Sequence, residues 1–226
     1  MEIVDGTMLW ARRIVFLVLV LFLSVCPVGC LEPPDGEVPP EVEVDEFPES
    51  VAKVYLITGP PFWQNLTIDL TGPTTVHVFF EGAVEGEASD NDGDGLDEVS
   101  TEIVAMKLIG DSPLGLVEVH LNPTIRSTGV AEENTNNTPG MLDLPPFTTE
   151  GTANSYFDVY FELVMGEFVF RTNQPKRMET VISHKPPQEG ETYQNLTIIP
   201  LVDLYGQPTL FFVGNVSHTP VPPPDH

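Results

Sequence analysis

The sequence predicts an all-β domain, an antiparallel β-sandwich of about nine short strands. Three observations carry that reading. Apolar residues recur with period two far more often than with the helical period of about 3.6. Gly, Pro, Asn or Asp bounds each short apolar run. The chain holds 23 prolines and 18 glycines in 226 residues. That is too many breakers for a helical bundle, and they lack the G-X-Y repeat of collagen.

Alternation is clearest in residues 75–81, where Val76, Val78 and Phe80 share one face and His77 and Phe79 the other. In residues 117–121 the apolar positions alternate with Glu118 and His120. Phe157, Val159, Phe161 and Leu163 alternate with Tyr156, Asp158, Tyr160 and Glu162. Further candidates are residues 54–57, 102–109, 167–172, 179–184, 195–202 and 209–213. The runs at 110–115 and at Met165-Gly166 read as local hairpin turns. Residues 132–154 read as a long loop crossing between sheets. Gln64-Asn-Leu-Thr-Ile68 recurs as Gln194-Asn-Leu-Thr-Ile198, through two related hairpins or by chance. The body, of about 170 residues, is long enough to bury a full core without disulfides.

Ahead of that body lies a targeting segment. Arg12 and Arg13 precede IVFLVLVLFLSV at 14–25, a basic flank and a short apolar core of the secretory kind. Even extended to Val28 the run is 15 residues, against about 20 for a comfortable membrane span. Residues 1–29 are therefore read as a signal sequence, with an uncleaved signal anchor as the alternative. Pro27-Val28-Gly29-Cys30 resembles a bacterial lipoprotein processing site, which implies lipidation of Cys30. Pro27 stands where that pattern prefers Leu, and cleavage after Cys26 by an ordinary signal peptidase is the rival. Residues 30–50 read as a disordered acidic, Pro-rich spacer: 31–50 carry eight acids, five prolines and no base. The sandwich is assigned to 51–218 and a disordered tail to 219–226.

The formal charge is −25, from 34 acids against 9 Lys and Arg. Such a chain repels nucleic acid and anionic headgroups, so the expected partners are an extracellular protein or glycan. Membrane association is expected only through the N-terminal anchor. With Cys26 and Cys30 as the only cysteines, a disulfide scaffold or Cys-based zinc site is excluded.

One motif carries chemistry. Residues 89–98 read SDNDGDGLDE, with Asp90, Asp92 and Asp94 alternating before Gly95. Calcium takes six to eight oxygens, and closely spaced carboxylates on a tightly turned loop supply them. Alternate residues can point to one centre, the Leu96 carbonyl can add a ligand, and Glu98 or Glu102 can close the shell. Gathering these carboxylates without a cation is costly, because like charges repel. The stretch resembles the calcium loops of thrombospondin type-3 repeats, with Asp90, Asp92, Asp94, Gly95 and Glu98 in the matching places. It departs from the EF-hand, since position twelve is Thr101 and the flanks read as strands. The alternative is a solvated acidic turn. Residues 94–104 and 136–147 together look similar to uncharacterised secreted bacterial proteins, a resemblance that implies no activity.

Other signals are weaker. His77 and His120 could pair with Glu81 or Glu118, but histidines on a strand surface are the default. GxSxG, HExxH, P-loop and Rossmann fingerprints are absent. Arg171, Lys176, Arg177 and Lys185 gather around Gln174-Pro175 and could form a basic docking patch, or simply solubilise. The expected protein is an exported, surface-tethered, non-enzymatic module with a structural calcium loop and a structural or adhesive role, in the extracellular space or cell envelope. The alternative is a carbohydrate-binding or glycoside-processing domain, for which Trp63, Tyr156 and Tyr160 are the candidate platforms.

Overall fold

The computed structural model describes residues 41–61 and 64–223. The readings on the signal sequence, Cys30, the first part of the spacer and Trp63 lie outside the described residues. Twelve strands form one antiparallel sheet: β1 (Val42–Thr58), β2 (Gln64–Phe79), β3 (Glu98–Ser112), β4 (Gly115–Leu121), β5 (Ser127–Glu133), β6 (Ala153–Val159), β7 (Phe161–Met165), β8 (Phe168–Thr172), β9 (Lys176–Ile182), β10 (Tyr193–Asn195), β11 (Ile199–Val202) and β12 (Pro208–Thr219). The all-β, antiparallel, sandwich-like reading holds. No helix among the described residues is long and apolar enough to cross a membrane.

The strands are not uniformly short. β1, β2, β3 and β12 run 17, 16, 15 and 12 residues, and β3 and β12 each serve two neighbours. The first half of β3 pairs with β5 and the second half with β4. β12 pairs with β11 along its start and with β10 along its end. With the β1–β12 and β1–β2 ladders, the sheet closes into two rings that share these long strands. One ring runs β1-β2-β3-β5-β6-β9-β10-β12, the other β1-β2-β3-β4-β7-β8-β11-β12. Closure covers much of the long strands' edges, although residues 42–50 of β1 pair with β2 alone and residues 64–70 of β2 with β1 alone.

This branching explains where sequence and structure differ. Phe157, Val159, Phe161 and Leu163 are all buried, as one alternating strand requires. Yet β6 and β7 are separate, because the chain passes from one ring to the other at Tyr160. There Asn122 and Ser127 supply the hydrogen bonds: Asn122 N–H donates to the Tyr160 carbonyl (2.9 Å), and Tyr160 N–H donates to Ser127 Oγ (2.9 Å). β5 escaped the apolar pattern because its inward positions are Ser127, Gly129, Ala131 and Glu133. A side chain at Gly129 would meet the Tyr156 carbonyl at 2.0 Å and the Phe157 ring, so this wall must be thin. The two Gln-Asn-Leu-Thr-Ile copies take different roles, one opening β2 and the other spanning the end of β10 and the turn to β11.

The spacer reading is corrected at its C-terminal end. Residues 42–50 belong to β1 and pair with β2 from Val42↔Phe79 onward. Two residues of this stretch, its one aromatic and one of its acids, point inward. Phe47 is 3% exposed and Asp45 4% exposed, the latter ion-paired with the equally buried Lys185. A partner so far along the chain is invisible to local composition. The tail reading is corrected too, since Thr219 ends β12 and Pro220 is buried.

Candidate functional site

The aspartate loop lies between β2 and β3, closed by a bridge from Ser89 to Glu98. Asp90 organises it. One oxygen accepts the N–H groups of Gly93 (2.7 Å) and Asp94 (3.1 Å), the other that of Gly95 (3.0 Å). Asp92 accepts from Asp94 N–H and Asp94 from Leu96 N–H. Gly93 and Gly95 hold φ of 86° and 99°, a left-handed backbone that L side chains rarely adopt. Carboxylate oxygens of Asp90, Asp92 and Glu98 lie within 4.8 Å of one another.

Glu98 differs from the two aspartates. It is 9% exposed, and its Oε2 is sealed from solvent with no hydrogen-bond partner among the protein atoms. Burial raises its pKa, and the charges of Asp92, Glu132 and Asp90 add to that rise. Sequence reasoning missed Glu132. It faces Glu98 across the β3–β5 ladder, and its pKa is raised first by burial, then by Asp94, Asp92 and Asp90. Like charges directly opposite on neighbouring strands are destabilising. Only strand register brings Glu132 here, so no local motif announces it. Glu102 goes elsewhere: its carboxylate is gripped by Arg126 on the outer face of β3, which lowers its pKa.

Beneath the loop, three buried acids fasten residues 134–152. Glu133 is fully buried and accepts the N–H groups of Asp97 (3.0 Å) and Asp143 (2.7 Å). Asp97 accepts from Gly140 N–H (2.6 Å). Asp143 accepts from Asn137 and Thr138. Leu142 and Leu144, both 0% exposed, complete the anchor.

A second feature is internal. Every strand of the first ring contributes to the lining of a cavity of ≈ 70 Å³, mostly apolar, among Val54, Leu70, Phe157 and Met178. Polar groups also face it. Tyr193 shares a hydrogen bond with Ser155 (2.9 Å). Thr74 Oγ1, Thr101 Oγ1 and His218 Nε2 are sealed without partners among the protein atoms. Lys176 and the Lys185–Asp45 pair lie along the same wall.

Of the two readings of the basic residues around Gln174-Pro175, the docking patch does not form. Arg171 pairs with Glu162, Arg177 with Asp158 and Lys185 with Asp45, while Lys176 is buried. The histidines divide as well. His120 sits beside Glu118 (3.0 Å), as a surface strand allows, but the inner nitrogen of His218 is closed off. Burial lowers the His218 pKa to about 4, below its ordinary value of about 6.5. Its stabilising contribution is complete above about 6.5 and is lost as pH falls toward about 4. Between pH 7 and pH 5 the wild type should lose about 2 kcal/mol more stability than His218→Gln, measured by urea denaturation at both pH values. Equal losses would show that the ring takes up its proton freely in the folded state.

An outer groove of ≈ 480 Å³ is lined by Phe79, Glu102, Arg126, Tyr156 and Asp158, among others. One face of its tyrosine ring is already covered. The Arg177 guanidinium sits 4.0 Å from the Tyr156 ring centroid, held there by Asp158.

No family model matches the chain, and no curated protein does. Among solved structures it is similar to DynF from the dynemicin biosynthesis pathway of Micromonospora chersina. The TM-score is 0.57 at 20% identity, over 80% of this chain and 81% of that one. At that identity the likeness concerns the fold alone.

Proposed function

We propose that this chain is an exported, non-enzymatic β module whose aspartate loop binds one calcium ion in a structural role. The observation that supports it is Glu98, whose buried carboxylate lies beside those of Asp90 and Asp92 and keeps one oxygen, Oε2, without a partner among the protein atoms. A carboxylate oxygen that has left water with neither a hydrogen bond nor a counter-charge is costly. A hard divalent cation suits this all-oxygen set, and calcium accepts the irregular geometry that magnesium resists. Asp90, Asp92, Glu98 and Glu132 would hold it, with Asp94 and the Leu96 carbonyl as further donors. The ion would cancel the repulsion between β3 and β5 and fix the loop over residues 134–152. Export, with a signal sequence or a lipid on Cys30, rests on the N-terminal sequence. The module would then act at the cell surface or in the envelope, in a structural or adhesive role toward an extracellular protein or glycan. A carbohydrate-binding role through the outer groove is less well supported, because Arg177 occupies the Tyr156 face.

The test is thermal unfolding with and without calcium. Extracellular calcium modules bind with Kd of about 10⁻⁴–10⁻³ M. At tenfold excess over Kd, linkage adds roughly 1.4 kcal/mol, so Tm should rise by a few degrees with calcium and much less with magnesium. Asp92→Ala should remove most of the rise while leaving the calcium-free protein no less stable, since one repelling charge is gone. An unchanged Tm, with no calorimetric binding, would leave an acidic turn and nothing more.

A further inference from the structure

We propose that the interior of the first ring is a binding site for a small amphiphilic carboxylate, its apolar body among the cavity-lining side chains and its carboxylate on Lys176. This site is separate from the aspartate loop and does not depend on calcium.

The argument starts from charge. Seven Lys and Arg side chains fall in the described residues. Six of them, Lys53, Lys107, Arg126, Arg171, Arg177 and Lys185, are each ion-paired with an acid. In so acidic a chain that is the expected outcome. Lys176 is the exception, although it is 1% exposed and faces the cavity. Its ammonium donates to the carbonyls of Thr197 and Gly214 (2.7 Å to the latter). An ammonium has three donors, so one remains. Burial alone accounts for its lowered pKa, about 8, with no acid near enough to counter it. The group is therefore still largely protonated at neutral pH. Lys185 and Asp45 cancel each other, so the cavity wall carries one unbalanced positive charge. A buried charge without a partner is costly, and a carboxylate ligand would supply the missing partner.

The shape agrees. An eight-stranded barrel interior is just wide enough to be filled by side chains or to hold one small ligand. A void of ≈ 70 Å³ is smaller than the roughly 150 Å³ cavity that holds benzene, so the ligand is short. Met106 and Met178 line the void, and flexible thioether side chains re-pack around a guest at little cost. Thr74, Thr101 and His218 offer further polar atoms with no other partner.

The test uses butanoate, with butan-1-ol and butylammonium as probes of the same body and different head. In titration calorimetry at neutral pH, butanoate should bind at least tenfold more tightly than butan-1-ol, and butylammonium not measurably. Lys176→Met should weaken butanoate at least tenfold and leave butan-1-ol within about twofold, because the apolar space remains. Should that variant fail to fold, Ala131→Leu fills the void without touching the ammonium and should abolish butanoate binding. If none of the probes binds the wild type, or if Ala131→Leu leaves butanoate binding intact, the interior is not the site. Equal affinity for butanoate and butan-1-ol, or butanoate binding unmoved in folded Lys176→Met, would overturn the role of Lys176.

Discussion

Asp45→Ala should destabilise the protein by about 3–5 kcal/mol, as expected when one partner of a buried ion pair is removed. Asp45 and Lys185 are both 4% exposed, and the ammonium that remains would have neither water nor a counter-charge. The pair also ties the entry of the fold to a distant segment. Asp45 is near the start of β1, while Lys185 follows β9 and donates its backbone N–H to Pro145. The double substitution Asp45→Leu with Lys185→Met should recover most of the loss, since an apolar pair of similar volume often matches a buried ion pair. Urea denaturation of the three variants checks both statements. Equal stability of Asp45→Ala and wild type would mean that Lys185 reaches solvent.

Glu133→Ala should cost about 2–4 kcal/mol, because it orphans the N–H groups of Asp97 and Asp143 in a site closed to water. The loss should be local as well as global. Residues 134–152 have no strand of their own, and this carboxylate ties them to Asp97 and hence to the aspartate loop. Hydrogen exchange at residues 137–143 should therefore quicken more than exchange in β1 and β2. Glu133→Gln should fall between, since its amide oxygen still accepts one N–H while its NH₂ confronts the other. Unchanged exchange in Glu133→Ala would show that Leu142 and Leu144 hold the loop by packing alone.

These two acids mark the limit of local reading. The alternation of Val76, Val78 and Phe80, or of Phe157 through Leu163, follows from the side-chain period of a strand. Burial of one face is the only tertiary fact it needs. The turn at Gly166, with φ of 59°, is likewise set by local sterics. The aspartate loop was legible because Asp90, Asp92, Asp94 and Gly95 are close in sequence and make their hydrogen bonds among themselves. Glu132 was not, and neither was the loss of Glu102 to Arg126, because strand register decides both.

By itself, then, the sequence determined that this chain is all-β, where most of its strands run, and that one loop gathers aspartates. Each depends on neighbours within a few residues. The tertiary structure decided what distance along the chain conceals: two closed rings, β1 extending into an acidic run, the dispersal of the basic residues and the burial of Lys176. The physical reason is that a buried charge is tolerated or costly according to which group faces it. In a closed sheet that group can come from a distant part of the chain, 140 residues away in the case of Lys185 and Asp45.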